Sequence, residues 1–137
     1  MPLVDVSRFP NLRILQADPA DAKHIANLGK AAGLKSIGLY SYKGKDLTKF
    51  TSLQNLTGLD LINPAISSPN NLQHMPQLEE LELMGTRNLH DVSLIGELIV
   101  QNRLPKLRNL MLPKKFKAEQ ERLDALLLQQ WQAQQQA

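Results

Sequence analysis

Three histidines, His24, His74 and His90, are the first residues to weigh for acid–base or metal chemistry in this 137-residue chain, which contains no cysteine. The missing cysteine excludes disulfides and thiolate chemistry. A metal site needs several ligands spaced so that they share one face of a helix or strand. None of the three histidines stands at such a spacing from another His, Asp or Glu, and all fall on segments that read as turns or returns. Ordinary exposed imidazoles are expected there. No phosphate-binding loop, G-x-S-x-G elbow or paired-carboxylate signature occurs in the sequence. Catalysis is therefore not expected, and no catalytic, cofactor-binding or metal-ligating residue is assigned.

The remaining chemistry is charge and apolar surface, and its meaning depends on the elements that carry it. The segment "MPQLEELELMG", residues 75–85, poses the problem. Leu and Glu favour helix. Leu78 and Leu81 could share a helical face, but Leu83 lies two residues further on, about 200° around a helix and on the same side only of a strand. The pattern recurs as "PNLRILQA", "AGLKSIGL", "QNLTGLDL", "PQLEELEL" and "PKLRNLML", whose first leucines are Leu12, Leu34, Leu56, Leu78 and Leu107. Three steps of 22 residues are followed by a longer one that adds two helical turns. Two further columns are apolar throughout. Phe9, Ala31, Leu53, Met75 and Leu104 precede each first leucine by three residues, and Leu28, Phe50, Leu72, Leu94 and Leu123 follow it by sixteen.

On these residues the chain resembles the leucine-rich repeat family, in its short 22-residue, bacterial-like form. The motif L-x-x-L-x-L reads as Leu12/Leu15/Ala17, Leu34/Ile37/Leu39, Leu56/Leu59/Leu61, Leu78/Leu81/Leu83 and Leu107/Leu110/Leu112. The resemblance implies an α/β solenoid over residues 1–114. Five short parallel strands, near 13–18, 35–40, 57–62, 79–84 and 108–113, would line a concave face, with helical or irregular convex returns. The family's usual asparagine after the strand is replaced here by Ala20, Tyr42, Pro64, Thr86 and Lys115, so the turns must satisfy their backbone by other means.

Local signals add detail. "PADAKHIANLGKAAG" predicts a helix from about Ala20 to Ala32, and "DVSLIGELIVQN" a helix with Asp91 as its cap. "ISSPNNLQHM" has room for no more than a turn. Leu3 and Val6 match Ile25 and Leu28 one repeat earlier, which reads either as a half-repeat capping the first strand or as the terminal part of a longer repeat protein. Residues 115–131 are expected to form a C-terminal capping helix with Phe116, Leu123, Leu126, Leu127 and Trp131 on one stripe, and the Gln-rich residues 132–137 to fray.

With the motif leucines inward, alternate strand residues face outward. Tyr40, Ile62 and Met84 then form an apolar column beside an acidic patch of Asp60, Glu80 and Glu82, with Gly38 and Gly58 leaving space next to it. This predicts a partner-binding groove for a protein carrying an apolar anchor and a basic flank. The alternative is a tolerated, solvated surface. A second candidate is the basic cluster Arg103, Lys106, Arg108, Lys114, Lys115 and Lys117. It lacks interleaved aromatics and a reading helix, so nucleic acid is not the expected partner. The expected function is non-catalytic protein binding, by a monomer or as part of a larger assembly, with a structural or capping segment of a larger repeat protein as the alternative. No stretch approaches the roughly 18 consecutive apolar residues of a membrane span. "MPLVDVSRFP" lacks the basic start and apolar run of a secretory signal, so a cytoplasmic setting is expected.

Overall fold

The computed structural model describes residues 4–18 and 25–136. Its centre is a parallel sheet of five strands: β2 (Ile14–Ala17), β4 (Ser36–Tyr40), β5 (Gly58–Ile62), β6 (Glu80–Met84) and β7 (Asn109–Met111), hydrogen-bonded in that order. The ladder runs Ile14, Ser36, Gly58, Glu80, Asn109, so each strand pairs with its equivalent one repeat later. A two-residue pair, β1 (Val4–Asp5) with β3 (Ile25–Ala26), stands apart from it. Helix α1 (Ser93–Val100) fills the longer fourth return, and α2 (Lys117–Gln135) follows the last strand.

Residues 80–84 are a strand despite their helical propensity. Leu78, Leu81 and Leu83 are completely buried, whereas Glu80, Glu82 and Met84 are half-buried on the other face. A helix would have distributed those leucines around its circumference. As a strand, the segment buries three side chains at about 1.5–3 kcal/mol each, which exceeds propensity differences of a few tenths per residue. The same alternation holds Leu34, Ile37, Leu39, Leu56, Leu59 and Leu61 in the core. Opposite the sheet the returns supply Leu47, Phe50, Ile66, Leu72, Leu89 and Ile95 from short 3₁₀ turns, loops and α1.

The turns lack the asparagine ladder and solve the backbone problem by a different repeated device. Ser41, Asn63 and Gly85 all adopt the left-handed conformation, with φ of 61°, 53° and 67°. Each stands one residue after a strand, and Ser41 and Asn63 donate their backbone N–H to the carbonyls of Ile62 and Met84 in the next repeat. Gly85 also needs its missing side chain, because a Cβ there would collide with the amide of Asn63. Of the substitute positions, Tyr42, Pro64 and Thr86 are buried, and the Lys115 ammonium donates to the Thr86 carbonyl at 2.7 Å.

Three expectations are corrected. Within the predicted helix 20–32, residues 25–32 form strand β3 and a 3₁₀ turn at Leu28–Lys30, while 19–24 lie outside the described residues. Parallel pairing of Ile25 and Ala26 with Val4 and Asp5 outweighs the local helix signals. Val6 is buried, and Leu3 lies outside the described residues. Phe9, placed in an apolar column, is 53 % exposed, and Leu12, Leu15 and Ala17 are only half-buried, because no described residue covers the first strand on its outer side. The last helix continues through Gln135 instead of ending near 131, and its glutamines bind backbone. Gln130 and Gln134 donate to the carbonyls of Leu104 and Pro105. The fourth-return helix begins after Val92 as its N-cap, and Asp91, the expected cap, stands one residue earlier and accepts the Ser93 N–H at 2.8 Å.

Helix α2 lies along the outer edge of β7. The Gln120 carboxamide accepts from the Leu112 N–H at 2.7 Å and donates to the Leu110 carbonyl at 2.8 Å, taking the place of a peptide group in a sixth strand. Phe116, Leu123 and Leu127 are buried beneath the helix, but Trp131 is 45 % exposed, at a level where Gln130 and Gln134 make the contact with the last repeat.

Leu81→Ala is expected to cost about 2–5 kcal/mol in denaturant unfolding, because a central position leaves a cavity that neighbouring layers cannot fill. Deleting residues 115–137 is expected to promote aggregation by exposing the β7 edge and the Leu110/Leu112 layer, measured as a rise in mass by light scattering.

Candidate functional site

The open face of the sheet consists of three rows running across the strands. Ile14, Ser36, Gly58, Glu80 and Asn109 form the first; Gln16, Gly38, Asp60, Glu82 and Met111 the second; Tyr40, Ile62 and Met84 the third. All six residues predicted to bind a partner are therefore brought together on adjacent strands. Tyr40 is 44 % exposed, and Ile62 and Met84 are half-buried by their own neighbours. The column is thus an apolar ledge more than a set of protruding anchors.

The predicted space beside the glycines is bounded by side chains of flanking strands. A Cβ on Gly58 would lie 3.4 Å from a Glu80 carboxylate oxygen and 3.5 Å from Ser36 Oγ, and one on Gly38 would lie 3.5 Å from Gln16 Cγ, ordinary contact distances that a methyl group tolerates.

Carboxylate oxygens of Asp60, Glu80 and Glu82 lie within 4.8 Å of one another. Three hard oxygen donors so placed can meet a cation, an ammonium or guanidinium as well as a metal ion. The cost of holding them together falls on Asp60. Its Oδ1 is shut off from solvent and has no hydrogen-bond partner. Burial, followed by the charges of Glu82 and Glu80, pushes its carboxyl up to about 6. No cation from the second candidate cluster offsets this, because half of that cluster is committed elsewhere. Arg108 pairs with Glu79, the Arg103 guanidinium donates to the Gln73 carbonyl, and Lys115 is bound to Thr86 above the Phe116 ring. Lys106, Lys114 and Lys117 are exposed.

Sequence reasoning overlooked two contributors to this surface. Met111, 51 % exposed, extends the second row beyond Glu82, and Leu128 and Trp131 on α2 remain exposed beside Arg108. The register revealed Met111's direction, but an isolated methionine carried no signal. Trp131 is exposed at a level where Gln130 and Gln134 carry the contact with the last repeat. His74 and His90 are exposed, and His24 lies outside the described residues. Among the described residues no helix is long and apolar enough to cross a membrane. No protein-family model matches the chain, and no curated protein matches it.

The raised Asp60 carboxyl has a definite consequence for stability. The folded chain holds that proton up to about pH 6, whereas an unfolded Asp releases it near 3.8. The contribution is complete below the unfolded value and is lost as pH rises toward 6 and above. Asp60→Asn is expected to be more stable than the parent at pH 7–8 by about 1 kcal/mol after solvent screening, with the difference vanishing below about pH 4. Urea unfolding across that range checks it, and a constant difference would show that neither burial nor the neighbouring carboxylates raise the Asp60 carboxyl.

Proposed function

We propose that the chain is a short leucine-rich repeat module of the 22-residue type. On this reading it binds a protein partner through the concave face of its sheet, without catalysis, in a cytoplasmic setting. The observation that carries this reading is the ladder register, which sets Tyr40, Ile62 and Met84 side by side next to the Asp60, Glu80 and Glu82 carboxylates. An apolar ledge bordered by concentrated negative charge suits a partner with an apolar anchor flanked by lysine or arginine. The family assignment draws on the repeated motif, the 22-residue ladder and the repeated left-handed turn.

A second reading, in which the sheet is one end of a larger stack of repeats, draws on the incomplete burial of Leu12, Leu15 and Ala17. Binding of nucleic acid by the basic cluster has less support. Three of its six cations are held by protein groups, and a carboxylate cluster occupies the same sheet.

Ile62→Arg is expected to change stability by less than about 1 kcal/mol, since the side chain lies on the open face, yet to weaken a captured protein partner tenfold or more. Glu80→Lys with Glu82→Lys should mainly slow association and reduce its salt sensitivity. Calorimetry and stopped-flow binding, with circular dichroism to verify the fold, measure both effects. Unchanged affinity in both variants would remove the site from this face.

A further inference from the structure

The first row of the open face borders a trough that the apolar ledge does not use. A cleft of about 420 Å³ follows the starts of the strands, from Ile14 across Ser36 and Gly58 to Glu80 and Asn109. At Arg108 it meets a second hollow of about 390 Å³ on α2, lined by Asp124, Leu127, Leu128 and Trp131. Its rim is divided by charge. Lys35 is exposed at the β2 and β4 end beside Arg13, whose exposed guanidinium donates to the Pro10 carbonyl at 3.5 Å, while Glu80 and Asp124 lie at the other, where Arg108 is neutralised by Glu79. Exposed apolar groups mark both ends, Ile14 at 64 % and Leu128 at 55 %.

Four inter-strand steps of about 4.8 Å make the first cleft about 19 Å long, the span of about six residues of extended chain.

We propose that this trough seats an extended segment of a protein partner laid across the strands. Its carboxylates lie over Arg13 and Lys35, a lysine or arginine over Glu80, and an apolar side chain beyond that on the Leu128/Trp131 ledge. The charge order of the rim dictates the charge order of the segment. This rests on the reading of the open face as a protein-binding surface and shares Glu80 with its acidic patch, but otherwise it assigns a different row of residues from the Tyr40/Ile62/Met84 ledge.

Random peptides displayed on phage and selected against the full chain test the assignment. Enriched sequences are expected to carry acids in one half, a base in the other and an apolar residue beyond the base. Synthesised, they should blue-shift the emission of Trp131, the only tryptophan in the chain. Arg13→Glu with Lys35→Glu should weaken these peptides tenfold or more and, on reselection, favour lysine where acids stood. Ile62→Arg should leave their affinity unchanged. The trough is overturned if no peptide is enriched, if enriched peptides lack the charge order or show helical spacing, or if they bind the charge-reversed variant equally well. A partner lost on Ile62→Arg alongside any of those results would sink the trough and leave the ledge standing. Charge-ordered peptides together with a partner indifferent to Ile62→Arg would do the reverse.

Discussion

Everything in this structure depends on stacking of equivalent strands in a parallel ladder. A single repeat cannot bury its own leucines: the strand presents two or three to one side, and its return segment is too short to enclose them. Only the neighbouring repeat completes the layer. The consequence is visible in the gradient of burial, from half-buried Leu12, Leu15 and Ala17 at the first strand to complete burial of their equivalents in the next three strands. Backbone bonds follow the same rule. Carbonyls at Arg13, Lys35, Thr57 and Glu79 each receive two N–H groups from the following strand, and the returns are joined by Ala65 to Tyr42 and Ser67 to Lys45.

Repetition makes the two ends of the sheet the difficult places. At the C-terminal end the chain departs from its pattern and uses a helix whose polar side chains act as backbone. Gln120 completes the β7 edge, and Gln130 and Gln134 satisfy carbonyls before it. An amide side chain suits this role because it carries both a donor and an acceptor in the geometry of a peptide group. Covering an edge in this way removes the exposed ladder groups that would otherwise invite another strand.

The open face inherits its chemistry from the ladder. Strict strand-to-strand register converts residues 22 apart in sequence into neighbours on the surface, so three carboxylates that look unremarkable in the chain become a cluster with a shielded, unpartnered oxygen on Asp60. The ladder provides no compensating cation within that row, where Gln16, Gly38 and Met111 are the remaining members. Such a surface tolerates repulsion in isolation and gains when positive charge arrives, which is the physical basis for the proposed protein-binding role.

Spacing was enough to locate the five strands of the central sheet and the facing of their residues, because period-two alternation inside a fixed repeat admits one inward set, while their parallel order was implied by the resemblance to leucine-rich repeats. It also placed Tyr40, Ile62, Met84, Asp60, Glu80 and Glu82 on a common surface. Where packing competes with local signals, the sequence misled. The helix expected over 20–32 gives way between Ile25 and Ala32 to pairing with Val4 and Asp5, a contact between residues about twenty positions apart that no local pattern records. Gly38 and Gly58 looked like openings, and the side chains of adjacent strands decide how much of that space is kept: Gln16 and Glu80 stand at ordinary contact distance from where a Cβ would lie. Trp131 shared a helical stripe with Leu123 and Leu127, yet it is exposed, and Gln130 and Gln134 carry the contact with the last repeat at its level. Periodicity determines which side of an element is apolar; only the tertiary structure decides whether anything lies opposite to cover it.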